Sequence, residues 1–146
     1  MKLILPPGLT PESFRTALRR FRDMLGTEAV LATDEDRETY LDAFAIGNGL
    51  NHAPSAALTP KSTEQVQAAV RIANEFRVPL WPISRGKNLA YGGSAPRMPG
   101  TVVLDLSRMQ RILEVNSELA YCRVEPGVGR THPVSVADIA GGCVSD

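Results

Sequence analysis

Cysteine is scarce in this chain: Cys122 and Cys143 are its only two. At that number and spacing they build neither a disulfide framework nor a metal-ligand set, so both read as plain thiols. Excess charge is lacking as well. Sixteen basic residues balance sixteen acidic ones, which argues against a dedicated nucleic-acid binder. No apolar run approaches the roughly 18 residues that span a bilayer, so no membrane partner is expected. The start, "MKLILPPGLTPE", holds too short an apolar stretch for a signal peptide, and a cytoplasmic location is expected. No internal repeat is visible. What remains is an ordinary globular composition, 43% hydrophobic and 22% charged, of a length that fits one domain or part of a larger one.

Helix signals open the chain. Thr10 suits an N-cap, Pro11 the first turn and Glu12 the positive end of the helix dipole. Phe14, Leu18, Phe21 and Leu25 recur at helical spacing, and Gly26 is a natural stop. Arg15, Arg19, Arg20 and Arg22 decorate the other faces and read as a solvated surface. Residues 27–54 read as irregular, with "GNGLNHAP" (47–54) as a surface loop. Residues 55–58 are a short strand ending at Pro60. Ser62 and Gln65 have capping-box spacing and open a second helix, with Val66, Ala69, Val70, Ala73 and Phe76 as its buried stripe and Ile72 widening it. The run 78–83 is a strand that Pro79 and Pro82 restrict to its ends or an edge. Strand, helix, strand implies a helix packed on a sheet. Three further strand candidates lie in 101–106, 109–116 and 120–127, and read as a meander with a turn at 116–118. On the last, Ala120, Cys122 and Val124 share one face, and Tyr121 and Arg123 the other. The class is α+β.

The stretch "WPISRGKNLAYGGSAP" (81–96) crowds three glycines, two cations and an Asn between two strands. Gly86, Gly92 and Gly93 can take positive φ and let a ligand approach the main chain. Successive amides aimed into one concavity make an anion nest, with Arg85 and Lys87 beside it and Asn88 to fix the loop or donate to an oxygen. A pyrophosphate is the natural guest; a long turn rich in Gly and Pro is the bland reading. Two better-known loops are excluded. Gly86-Lys87 is followed by Asn88, not by the Ser or Thr of a P-loop, and the glycine spacing is not that of the dinucleotide fingerprint, which also leads into a helix.

The wording of residues 79–128, "PLWPISRGKNLAYGGSAPRMPGTVVLDLSRMQRILEVNSELAYCRVEPGV", resembles the FAD-binding region of the p-cresol methylhydroxylase and vanillyl-alcohol oxidase family. Residues 52–77 resemble the strand and helix that precede it. The resemblance implies the first α/β subdomain of a PCMH-type FAD-binding domain, incomplete, with an N-terminal helix. It divides the chain into a helical segment (1–39), the FAD-binding part (40–128) and a divergent tail (129–146). In that family the segment matching Ser84 to Gly93 wraps the FAD pyrophosphate, and the segment matching Glu125 to Val128 lies close to the cofactor. The cofactor-binding residues carried over are Ser84, Arg85, Gly86, Lys87, Asn88, Tyr91, Gly92 and Gly93, with Pro126 and Gly127. No catalytic residue and no metal ligand is assigned. Trp81 reads as core, Asp105 as local structural support, and His52 as a surface or supporting residue; His132, in the tail, receives no role.

The activity implied is oxidation of a para-substituted phenol, such as 4-cresol, vanillyl alcohol or eugenol, by hydride transfer to the flavin. The alternatives are an FAD-linked oxidase of another substrate class and a non-catalytic nucleotide-binding module or remnant. The family's second FAD subdomain, its cap domain and its phenol-binding residues come later than the matched region. FAD is the implied partner; a cytochrome c subunit of the full-length enzyme and a homo-oligomer are left open. Because the resemblance stops after Val128, a truncated or frame-shifted product, or a sequence that is only part of a longer enzyme, is expected, and the chain alone is expected to be inactive.

Overall fold

The computed structural model describes residues 3–41, 50–86, 93–116 and 118–129. Its elements are α1 (Pro11–Leu25), β1 (Val30–Leu31), α2 (Asp34–Glu38), β2 (Ala56–Leu58), α3 (Thr63–Phe76), β3 (Leu80–Ile83), β4 (Val102–Asp105), β5 (Ile112–Asn116) and β6 (Tyr121–Val124). Four strands form one sheet in the order β1-β2-β4-β3, and β5 and β6 form a separate two-stranded sheet.

The helices follow their sequence signals. The Thr10 hydroxyl accepts the Ser13 amide at 3.2 Å, and the Gly26 amide closes α1 on the Arg22 carbonyl. Phe14, Ala17, Phe21 and Leu25 are buried against Ala69, Ile72 and Ala73 of α3 and one face of the sheet. Alanines at the contact let the two helices come close. Two expectations for α3 are corrected. Val70 is 39% exposed, because the helix shows the sheet a narrower face than the apolar stripe. The capping box is only half formed: the Ser62 hydroxyl accepts the Gln65 amide, but the Gln65 side chain accepts from the Lys61 amide at 2.7 Å, one residue before the cap.

Residues 27–41 are also more regular than expected. β1 pairs antiparallel with β2, Val30 opposite Leu58. α2 starts with a reciprocal cap in which the Asp36 amide donates to the Thr33 hydroxyl and the Thr33 amide to the Asp36 carboxylate, 3.1 and 3.0 Å. A two-residue strand is too short to show a period, and it exists only because β2 offers an edge. Nor is 47–54 simply a surface loop. Residues 47–49 lie outside the described residues, but Ala53 and Pro54 are buried, and the Ala53 carbonyl accepts the Gly100 amide at 2.8 Å.

β2, β4 and β3 run parallel, with Ala57 opposite Val103 and Trp81 opposite Val103 from the other side. The meander expected from 101 onward is therefore corrected: β4 lies between β2 and β3, and only β5 and β6 pair as antiparallel neighbours. The physical reason is the unbroken apolar run Val102, Val103, Leu104, all buried, which suits a strand covered on both faces. β3 takes the edge, where Pro82 removes no needed donor. Parallel neighbours require a connection of about a dozen residues or more to bring the chain back. That is the structural reason for the long segment 84–101 between β3 and β4.

Candidate cofactor site

The site forms at the carboxyl ends of the parallel strands, where open α/β sheets hold ligands. The Leu106 amide bonds the Ile83 carbonyl at 2.9 Å, the last rung before the chain leaves β3. Ser84, Arg85 and Gly86 follow. Gly86 has φ +66°, and a Cβ there would stand 2.8 Å from the Ser94 hydroxyl. Only glycine combines that backbone with that approach. The outgoing limb at Gly86 and the returning limb at Ser94 thus touch, closing the neck of the loop, with Gly93 half-buried beside them. Lys87, Asn88, Tyr91 and Gly92 lie outside the described residues.

Arg85 is exposed, and its guanidinium lies directly over Gly129: a Cβ on Gly129 would collide with Nη1 and come within 3.0 Å of Cζ. Among the described residues, Arg85 has no carboxylate partner, and the amides of Arg85 and Gly86 have no acceptor.

A second limb reaches the same place from β4. Asp105, at the strand's end, accepts the Ser107 amide on Oδ1 and the Tyr40 hydroxyl on Oδ2, both at 2.8 Å. Burial, and then the bond to Asp105, raise the Tyr40 phenol pKa above its ordinary value. Asp105 therefore has the structural role expected of it. The turn it holds receives Gly127, whose amide donates to the Met109 carbonyl at 2.7 Å. A Cβ on Gly127 would run into the Ser107 and Met109 carbonyls, so the fit demands glycine. Pro126 is exposed next to it.

Glu125 closes this limb. Its side chain is 5% exposed and accepts the Arg111 amide (2.8 Å), Nε (2.9 Å) and Nη2 (2.7 Å), while its own amide donates to the Arg111 carbonyl. Hydrogen bonds from the Arg111 side chain and then its amide lower the Glu125 pKa; the Arg111 pKa is raised in turn, first by its side-chain hydrogen bond to Glu125.

His52 and Trp81 flank these limbs. His52 Nδ1 lies 3.0 Å from the Pro96 carbonyl. A carbonyl only accepts, so Nδ1 carries the proton, and the ring buttresses the returning limb. Trp81 is half-buried on β3, and its indole N–H is enclosed with no acceptor among the described residues. Sequence reasoning missed the Glu125 clasp, the seat of Arg85 on Gly129 and the Tyr40–Asp105 bond. The Glu125-Pro126-Gly127 string hinted at the first; the other two join residues far apart in the chain and left no local signal.

A guanidinium and amides that have no partner among the described residues, beside a positive-φ glycine at the carboxyl ends of parallel strands, fit an anionic group such as a diphosphate. A parallel sheet with such donors at its carboxyl ends is the plan of α/β folds that bind nucleotide cofactors. The FAD binding domain family matches residues 54–143, which passes Val128 and runs into the tail. The chain is 42% identical over 125 residues to the 4-cresol dehydrogenase [hydroxylating] flavoprotein subunit of Pseudomonas putida, covering 86% of this chain and 24% of that protein. It is also 42% identical over 120 residues to 1'-carboxy-chondrochloren decarboxylase of Chondromyces crocatus, covering 82% and 22%. The 4-ethylphenol oxidase of Gulosibacter chungangensis, solved as its isoeugenol complex, superposes with a TM-score of 0.82 at 45% identity, covering 86% and 24%. The chain belongs to the FAD binding domain family, its cofactor is FAD, and its fold is that of the PCMH-type domain. It spans about a quarter of the length of these relatives.

Among the described residues, no helix is long and apolar enough to cross a membrane.

Proposed function

We propose that this chain supplies the first half of the FAD grip in an oxidoreductase acting on para-substituted phenols. The observation that carries the proposal is the exposed Arg85 guanidinium, without a carboxylate partner among the described residues, beside Gly86 at the carboxyl ends of β3 and β4. Ser84, Arg85, Gly86 and Gly93 would hold the pyrophosphate together with Lys87, Asn88, Tyr91 and Gly92, and Pro126 and Gly127 would line the cofactor from the second limb. Bound FAD supplies the redox chemistry; the protein supplies binding and orientation. This chain's residues hold charge in place, and Gly86 and Gly127 let the limbs of the site pack closely against their neighbours. The likeness to phenol-oxidising flavoproteins favours a phenol substrate. A relative described as a flavoprotein subunit is consistent with an electron-accepting partner, for which a cytochrome c subunit is the proposal.

One observation favours a second reading. The decarboxylase relative is as similar as the cresol enzyme, so the shared segment serves more than one reaction, and a flavin-dependent reaction on another substrate is the alternative. The test is anaerobic mixing of the natural gene product with 4-cresol and, separately, with D-lactate, chosen because the chain is also 30% identical over 129 residues to the mitochondrial D-lactate dehydrogenase [cytochrome] of Kluyveromyces lactis. Loss of the flavin's visible absorbance with 4-cresol alone supports the proposal. Loss with D-lactate alone moves the protein to the hydroxy-acid oxidases.

A further inference from the structure

We infer that Glu125 is a positioning residue that sets the Arg85 guanidinium over the diphosphate site, an inference that rests on the site proposed above. Three observations connect the two side chains. First, Glu125 is buried and locked to Arg111 by three bonds to its carboxylate and one from its amide. Its two oxygens are therefore consumed in fixing the chain's direction at the base of the β5–β6 hairpin. Second, that direction delivers Gly127 into the Ser107–Met109 turn, where its amide bonds Met109 and no larger residue fits, while the Val128 amide returns to the Glu125 carbonyl at 3.1 Å. Third, the next residue, Gly129, is the surface on which the Arg85 guanidinium rests. Arg85 is exposed and has no carboxylate partner among the described residues. A free arginine side chain samples many rotamers, and the contact with Gly129 is what restricts this one. Glu125 thus acts on the ligand through Gly127, Gly129 and Arg85, without touching it.

The test uses the 146-residue chain, labelled with nitrogen-15, with ADP as the diphosphate probe. Glu125→Gln keeps the shape and removes the charge that draws Arg111 into its fork. It is expected to shift the Arg85 Nε–H resonance in the ligand-free chain and to weaken ADP binding about tenfold, the scale of one charge-assisted hydrogen bond. Arg85→Ala is expected to weaken ADP similarly, and adding Glu125→Gln to it to change nothing further, because both act through one contact. A role confined to stability would give an unmoved Arg85 resonance and independent, multiplying losses in the double variant; either result overturns the inference. If Glu125→Gln does not fold, Arg111→Lys replaces it, since an ammonium cannot reproduce the two-nitrogen fork, and the same outcomes apply. Should the wild-type chain bind no ADP, the diphosphate reading fails, and the Arg85 resonance still decides the positioning: a shift sustains it, and no shift ends it.

Discussion

The four-stranded sheet and the β5–β6 hairpin are held by different forces. In the sheet, β2 and the first residues of β4 are essentially inaccessible, with Phe14 and Phe21 of α1 pressed on one face and Tyr40 packed on the other. In the hairpin every residue of β6 is exposed, and Leu113, Val115 and Leu119 show 49%, 43% and 72% of their surfaces. A two-stranded hairpin is marginal by itself in water. This one is anchored at its base by the Glu125–Arg111 clasp and by Gly127 in its turn, and one face carries a small polar network in which Tyr121 and Arg123 both meet Glu114. Burial stabilises the first region, and directed polar contacts fix the second. The candidate site lies on the seam, taking Arg85 from the sheet and Gly127 and Gly129 from the hairpin side.

That contrast can be broken at its strong end first. Phe21→Ala removes a ring that is 0% exposed and is expected to cost about 3–5 kcal/mol, a large fraction of a domain's stability, measurable by urea unfolding. A cost below about 1 kcal/mol would mean that the helices do not depend on this core.

A smaller effect, with a pH signature, belongs to the clasp. The folded-state pKa of Glu125 is depressed, so its contribution is present above the unfolded carboxylate value of about 4.3 and is lost as pH falls through the folded value. The melting temperature of Glu125→Gln should therefore lie below wild type at pH 7, and the gap should close in acid. A gap of constant size from about pH 7 to about pH 3, a window that brackets the carboxylate titration, would remove ionisation from the account.

The smallest change is expected at the hairpin tip. Leu119→Ser deletes an apolar side chain that is 72% exposed and should alter stability by no more than about 0.5 kcal/mol. A clearly larger loss in the denaturation midpoint would show that the tip is packed against something, and the contrast between the two regions would narrow.

The sequence disclosed these regions unequally. α1 and α3 were legible because caps and period coincide, as at Thr10, Pro11 and Gly26 or Ser62 and Ala69. β4 was legible as a strand, but not as a parallel one, since pairing is decided by which edges the rest of the fold leaves open. β1 left no trace because two residues have no period. At the site, Gly86 and Gly127 announced themselves as glycines in unusual company. Gly129 fell in a stretch read as tail, and its meaning comes only from Arg85, which reaches it across the fold. Glu125 stood in a quoted string, yet its partner Arg111 is fourteen residues earlier in the chain, bonded across the hairpin.

In the proposed function, the carboxyl end of this sheet grips the diphosphate of FAD through Arg85. Fluorescence titration of the 146-residue chain with FAD and with riboflavin, which lacks the diphosphate, tests it most directly. FAD is expected to bind more tightly than riboflavin, and Arg85→Ala to abolish most of that difference while leaving the melting temperature unchanged. Equal affinity for the two flavins, or an advantage for FAD that survives Arg85→Ala, would contradict it.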